Sequence, residues 1–285
     1  IQVSSPTKDA VAAAVTRAQA AHPGLAVESV GLKNDPYKTK LSIAMESGTP
    51  PDVFHTWGGG LLQEYATAGK VAAIELKASE AALFNSRALE FCYAVPPGGG
   101  ERMLYALPAD MTAVAFWYNT ALFAKHGLKA PATWVEFLRV CQRLKDAGVT
   151  PIALGNAQSW PGCFYLIYLA TRLGGLAPFR EGQYDHPCFV SAGEKIRELV
   201  DKGFLLSGFN GLKYDASRRE FFQGRAAMTL MGSWIISHCR NEAPDFLATM
   251  DCFAFPALAT GPQTARTVVV GGMNAGYAVS ATSKA

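Results

Sequence analysis

From Thr7 to Trp57 the chain alternates helix, strand, helix, strand, and each element is closed by glycine or proline. TKDAVAAAVTRAQAAH places apolar residues at helical spacing and stops at Pro23-Gly24, a C-terminal signal. LAVESVGL alternates as a strand does, DPYKTKLSIAMESG reads as a second helix ended by Gly48, and PPDVFHTW is a short strand entering a glycine-rich turn. Two strands separated by a helix cannot pair as a hairpin, so this order predicts parallel strands joined by helical crossovers, an α/β protein.

Further along, GGGLLQEYATAGKV and EAALFNSRALEFC read as helices before the loop PPGGGERM, and MLYALPADMTAVAFWYN is strand-rich and crosses Pro108. TALFAKHG, TWVEFLRVCQRLKDAG, FYLIYLATRLG, SAGEKIRELVDKG and YDASRREFFQG are all helical with glycine stops. DCFAFPALATGPQTARTVVVGGMNAGYAVSA returns to extended, glycine-rich sequence. There is no internal repeat and no low-complexity tether. Two lobes joined by strand-like hinges near residues 106 to 112 and 255 to 270 fit this order, with a ligand beyond the strand ends.

A chain of 285 residues with 49% hydrophobic and 17% charged residues has enough apolar material for a sizeable core. Its net charge of +3 is dispersed, with no basic run interleaved with aromatics, which argues against nucleic acid as a partner. No stretch approaches the roughly 20 apolar residues of a membrane helix. The opening IQVSSPTKDAVAAAV has neither a basic n-region nor an h-region, so either the protein is cytosolic or its leader has been removed. The six cysteines form no CxxC pair and have no histidines at zinc spacing; buried thiols and disulfides both remain open, and no metal or cofactor is expected.

Catalytic patterns are weak. GxSxG, Walker A, HExxH and GxGxxG are absent, and His55 and His238 have no sequence-evident nucleophile beside them. Trp57 follows a strand and precedes three glycines, which suits either a core indole beside a flexible turn or an indole held at a strand end next to exposed backbone N–H groups. Asp110 follows Leu-Pro amid apolar neighbours and is either an ordinary loop carboxylate or one that needs a partner inside a site. Trp160 lies in the polar loop GNAQSWPG, where Pro161 holds its backbone extended; core packing is the alternative. Trp117 and Trp134, inside elements, read as packing residues. GRAAMTLMGSW has the apolar run of a buried strand, but a strand alone does not account for its ending in glycine, serine and tryptophan.

Three blocks carry a family resemblance: PPDVFHTWGGGLLQEYATAGKV, then LPADMTAVAFWYNTALFAKHGLKAPATWVEFLRVCQRLKDAGVTPIALG, then FFQGRAAMTLMGSW followed by GGMNAGYAVSATSKA. In that order they resemble the extracellular solute-binding proteins of the sugar type, the substrate receptors of ABC importers, and more distantly the layout of maltose-binding protein. The resemblance implies a two-lobed periplasmic-binding-protein-like α/β fold with a ligand cleft between the lobes. Residues 1–109 form an N-lobe to which 265–285 return, and 110–264 form a C-lobe. It implies a mono- or oligosaccharide ligand, a membrane permease as partner, a monomer rather than an enzyme, and a periplasmic or extracellular location, with a lipoprotein anchor as one form of it. Trp57, Gly58, Asp110, Trp160, Trp234, Gly272 and Met273 become the expected cleft lining, with Asn156 a weaker member; GSW then places Trp234 at the cleft, where an indole stacks on the C–H face of a sugar.

Two departures from the family pattern stand out. IQVSSPTKDA keeps little of the opening strand, and the family continues past the SKA position with a helix and a further lobe-spanning segment, so part of the fold is expected beyond this chain. Two other functions are weighed against the receptor. A carbohydrate-active hydrolase would need a second carboxylate roughly 5 to 10 Å from Asp110, and none stands in a comparable context. A binding protein of the same fold for a non-sugar ligand such as a polyamine would want several acidic groups near the aromatics, which this sequence lacks.

Overall fold

The computed structural model describes residues 7–284. They form two compact units, one of the residues up to Thr112 together with those from Gly271 onward and the other of Ala113–Val270. The chain therefore passes between units at 112/113 and 270/271, against the expected 109/110 and 264/265. Asp110 accordingly lies in the first unit, where hydrogen bonds to Asn274 and Ala275 hold it.

In the first unit come α1 (Thr7–Ala21), α2 (Asn34–Glu46), β1 (Val53–Thr56), α3 (Gly59–Thr67), α4 (Ala78–Ala81), α5 (Ser86–Glu90), β2 (Tyr93–Ala94), β3 (Met103–Leu104) and the start of β4 (Leu107–Asn119). The second unit takes the rest of β4, then α6 (Thr120–Lys125), α7 (Trp134–Asp146), β5 (Thr150–Ile152), α8 (Trp160–Gly174), α9 (Ala177–Arg180), α10 (Pro187–Asp201), α11 (Tyr214–Phe222), β6 (Ala226–Gly232), α12 (Ile235–Glu242), α13 (Pro244–Leu247) and β7 (Met250–Phe253). Strand β8 (Gly271–Val279) returns to the first unit and pairs antiparallel with β1, Thr56 opposite Gly276 and Val53 opposite Val279.

The parallel arrangement expected at the N-terminus is not what the ladders form. Among the described ladders β5–β6 is parallel, whereas β1–β8, β2–β3, β4–β6 and β4–β7 are antiparallel. Over Leu25–Leu32, read as a strand, only Leu32 takes a bridge position, and Leu25 and Val27 stay 39% and 40% exposed. Alternation marks a segment able to lie on a sheet, but pairing decides whether it does. EAALFNSRALEFC is broken into α4 and α5 because the Asn85 side chain accepts from the Arg87 and Ala88 N–H groups and starts a new helix.

Strand β6 is buried at every position. Its edges pair with β4 and β5 and helices α8 and α11 pack against it, so its faces need no polar alternation. Helix α7 buries Trp134, Phe137, Val140, Cys141 and Leu144 at helical spacing and opens with a capping box of Thr133 and Glu136. The two N–H bonds that Glu136 accepts, from Thr133 and Ala132, hold its carboxyl below the usual range. Trp117 and Trp134 are 8% and 5% exposed and belong to the core, as their placement inside elements predicts.

Helix α8 carries two further anchors. Tyr168 donates to the Val114 carbonyl at 2.5 Å, and the buried Arg172 guanidinium donates to the carbonyls of Ala265 and, at 2.9 Å, Val268. The Val114 N–H donates in turn to Val270 at 2.8 Å. One helix thus grips the chain just after its first passage between units and just before its second.

Candidate functional site

The first unit gathers its candidates through backbone. Gly58 sits at φ 68, and a Cβ there would meet the Phe91 carbonyl oxygen at 2.5 Å and the Met273 methyl at 2.8 Å. Gly272, at φ 141, would put a Cβ 2.7 Å from the Phe91 ring. Both glycines are therefore required by close approach to one residue, Phe91, which no local sequence signal distinguishes. Met273 is only 5% exposed and touches the Cys92 thiol at 3.3 Å, so the structure places its side chain in the core. Asp110 accepts from the Ala275 N–H at 2.6 Å and from the Asn274 amide at 3.1 Å, which occupies both carboxylate oxygens.

Trp57 is half-buried, edge-on to His55 at 4.5 Å and to Tyr37 at 5.8 Å, with the Lys38 ammonium 5.0 Å from its ring centre. The Tyr37 hydroxyl donates to the His55 carbonyl at 2.7 Å. Burial lowers the His55 imidazole to about 4, so near neutral pH it is an uncharged packing ring.

In the second unit the candidates meet through side chains. Trp160 and Trp234 are half-buried, with ring centres 6.1 Å apart and planes at 62°, an L-shaped corner. Tyr214 backs Trp160 at 5.1 Å, and Phe164 lies near both indoles at 5.9 and 6.1 Å. Here the ending of GRAAMTLMGSW finds its reason. Gly232 closes β6, and a Cβ on it would fall 2.1 Å from the Trp234 ring, so the indole folds back over the bare Cα of the strand's last residue.

Trp160 is not in a loop before its helix. It is the first residue of α8, and Pro161 fits the first turn because that position has no intrahelical N–H bond to lose. The bend is taken one residue earlier, by Ser159 at φ 61. Asn156 serves this turn: its Oδ1 accepts from the Gly162 N–H at 3.0 Å and its Nδ2 donates to Asn210 at 3.0 Å.

Beneath Tyr214 runs a charged network. Arg218 is buried, stacks on the Tyr214 ring at 4.8 Å, forks onto Glu242 at 2.7 and 3.2 Å, and reaches Asp215 at 3.1 Å. Burial pushes the Tyr214 phenol up to about 12 against the pull of Arg218. Burial lowers the His238 imidazole to about 4, with Arg218 adding to the shift and Glu242 and Asp215 opposing it. Sequence reading missed Tyr214, Arg218 and Phe164, since their importance comes from contacts across the unit. A separate cavity of about 240 Å³ is lined by Leu154, Asn156, Cys163, Leu166, Ile196 and Phe209 among others, and neither indole enters it.

Among the described residues all six cysteines are free thiols and no cluster of His, Cys, Asp or Glu is arranged to hold a metal. No helix among them is long and apolar enough to cross a membrane.

Comparison with known proteins places these features in a family. In sequence the chain is similar to the multiple sugar-binding protein of Streptococcus mutans serotype c, 27% identical over 257 residues that make up 86% of this chain and 58% of that protein. In structure it is similar to a protein from work on xylan utilization by the thermophilic bacterium Caldanaerobius polysaccharolyticus, with TM-score 0.89 and 29% identity over 99% of this chain and 72% of that one. It is also similar to a chitin oligosaccharide binding protein, with TM-score 0.81 and 26% identity over 96% of this chain and 69% of that one. The chain spans under two thirds of the length of its Streptococcus relative. The family model for the bacterial extracellular solute-binding protein matches residues 4–285, and the chain belongs to that family.

Proposed function

We propose that this chain is part of a sugar receptor serving an ABC importer: outside the cytoplasmic membrane it binds a mono- or oligosaccharide and hands it, chemically unchanged, to a membrane permease. The corner of Trp160 and Trp234 carries the reading. Two half-buried indoles at 62° offer flat apolar faces in two directions, which suits the C–H faces of successive sugar rings or one ring and its substituent. The names of the relatives support a saccharide, and the oligosaccharide-binding neighbour favours a chain of sugars over a single one. Asp110 supports a receptor over a hydrolase, because both its oxygens already accept hydrogen bonds from β8 and leave little freedom for proton transfer.

Calorimetric titration with xylotriose, chitotriose and raffinose tests the proposal. At least one is expected to bind, more weakly to Trp234→Ala, and to be recovered intact. Shortened or transferred sugar, abolished by Asp110→Ala, would establish the hydrolase instead.

A further inference from the structure

We infer that Arg218 is a positioning residue that fixes the aromatic corner of the second unit, an inference whose functional consequence rests on the sugar-receptor reading. Its side chain is 5% exposed, and two carboxylates and an aromatic ring surround the guanidinium. Nε and one terminal nitrogen fork onto Glu242 at 3.2 and 2.7 Å, the other terminal nitrogen reaches Asp215 at 3.1 Å, and the flat face lies 4.8 Å from the Tyr214 ring centre.

Those partners sit at the ends of two helices beside the corner, α11 and α12. Tyr214 begins α11, and its ring backs Trp160 at 5.1 Å. Glu242 ends α12, the helix that starts immediately after Trp234. A single buried cation therefore holds the far end of the helix that Trp234 opens and, through its face, the ring behind Trp160. Trp234 takes its place from the start of α12 and Trp160 leans on the Tyr214 ring, so Arg218, by tying these two supports together, bears on the angle between the indoles. Lysine cannot substitute: a point charge on a flexible stem has neither the planar fork nor the flat face.

His238 completes the surroundings. It lies 3.6 Å from Glu242 and 6.0 Å from the Tyr214 ring centre, and burial keeps it uncharged near neutral pH, so it does not compete with Arg218 for the carboxylate. Asp215 and Glu242 are 48% and 37% exposed in their side chains, so removing the cation leaves carboxylates that water can solvate. The network is thus better suited to holding geometry than to holding the fold together, since buried ion pairs add little net stability.

The test reads the indole pair directly. Two indoles in contact at a fixed angle give a coupled near-ultraviolet circular dichroism signal, identified in the full chain as the part lost in both Trp160→Phe and Trp234→Phe. Arg218→Met and Arg218→Lys are expected to lose most of it, and Glu242→Gln part of it, while unfolding stays cooperative. In calorimetry with xylotriose, chitotriose and raffinose, Arg218→Lys is expected to bind about tenfold more weakly than wild type. A coupled signal retained in folded Arg218→Lys or, if that variant does not fold, in Glu242→Gln overturns the inference, as does its absence from wild type. A signal that disappears while sugar affinity is unchanged upholds the positioning role and refutes the placement of the sugar site at this corner.

Discussion

The two units assemble their candidate walls in opposite ways. In the first, the wall is made where main chain meets Phe91: Gly58 and Gly272 press against its carbonyl and its ring where no Cβ fits, and Asp110 accepts one hydrogen bond from β8 on each oxygen. In the second, it is made by side chains: two indoles, Tyr214 and Phe164 lean on each other above a buried guanidinium. The first wall is sensitive to a single added methyl, which would meet the Phe91 carbonyl at Gly58 and the Phe91 ring at Gly272. A side-chain wall can be retuned, because each ring moves against its neighbours.

The largest expected difference follows from that contrast. Gly58→Ala combines a left-handed backbone with a collision against a carbonyl, and is expected to cost about 3 kcal/mol of stability in urea unfolding, the sum of the two penalties. If it costs under about 1 kcal/mol, the range of an ordinary surface change, the main-chain wall is softer than described.

Next comes acidity. His55 and His238 are each held near 4 in the folded state, against about 6.5 when unfolded, so the unfolded chain binds more protons between those values. Stability is complete above the unfolded value and is lost as pH falls towards 4. His55, 1% exposed, is expected to contribute about 2 to 3 kcal/mol of that loss. Urea unfolding at pH 7 and 4.5 checks this: His55→Phe and His238→Phe should each flatten the dependence, and an unchanged slope in either variant would mean that its imidazole is not held uncharged in the folded chain.

On binding, Trp234→Ala is expected to lose about 1 to 3 kcal/mol of sugar affinity by calorimetry. Gly232→Ala should approach the same loss with little change in unfolding midpoint, since the new methyl displaces an indole instead of a carbonyl. A Gly232→Ala protein that binds normally would mean the indole's position over β6 is irrelevant to the ligand. The smallest effect is at Ser159, whose φ of 61 suits glycine better. Ser159→Gly is expected to raise stability by about 0.5 kcal/mol, left-handed relief less the entropy of glycine in the unfolded chain, read as a small upward shift in Tm.

What the sequence made legible was whatever depends on near neighbours. The apolar period and capping box of α7, the unbroken run of β6 and the aromatic packing roles of Trp117 and Trp134 all rest on residues a few positions apart. The strand read at Leu25–Leu32 failed because pairing is a property of two segments, and EAALFNSRALEFC was split by one asparagine cap. Among the candidate residues, the sequence pointed to Trp160 and Trp234 but not to what joins them. Tyr214 and Arg218 lie in the helical segment YDASRREFFQG and Phe91 in EAALFNSRALEFC, with nothing local to single them out. Each matters through contacts made by chain far away in sequence, to which periodicity is blind.

Helix α8 works as a strut. Its head is Trp160; about 18 Å along, at the rise of an α-helix, Arg172 is fastened to the carbonyls of Ala265 and Val268, with Tyr168 fastened to Val114 between them. A load placed on the indole is therefore borne by main-chain oxygens beside both passages of the chain from one unit to the other. The stiffness felt at the tryptophan is set at the opposite end of the rod, by a tyrosine and an arginine well removed from the corner itself.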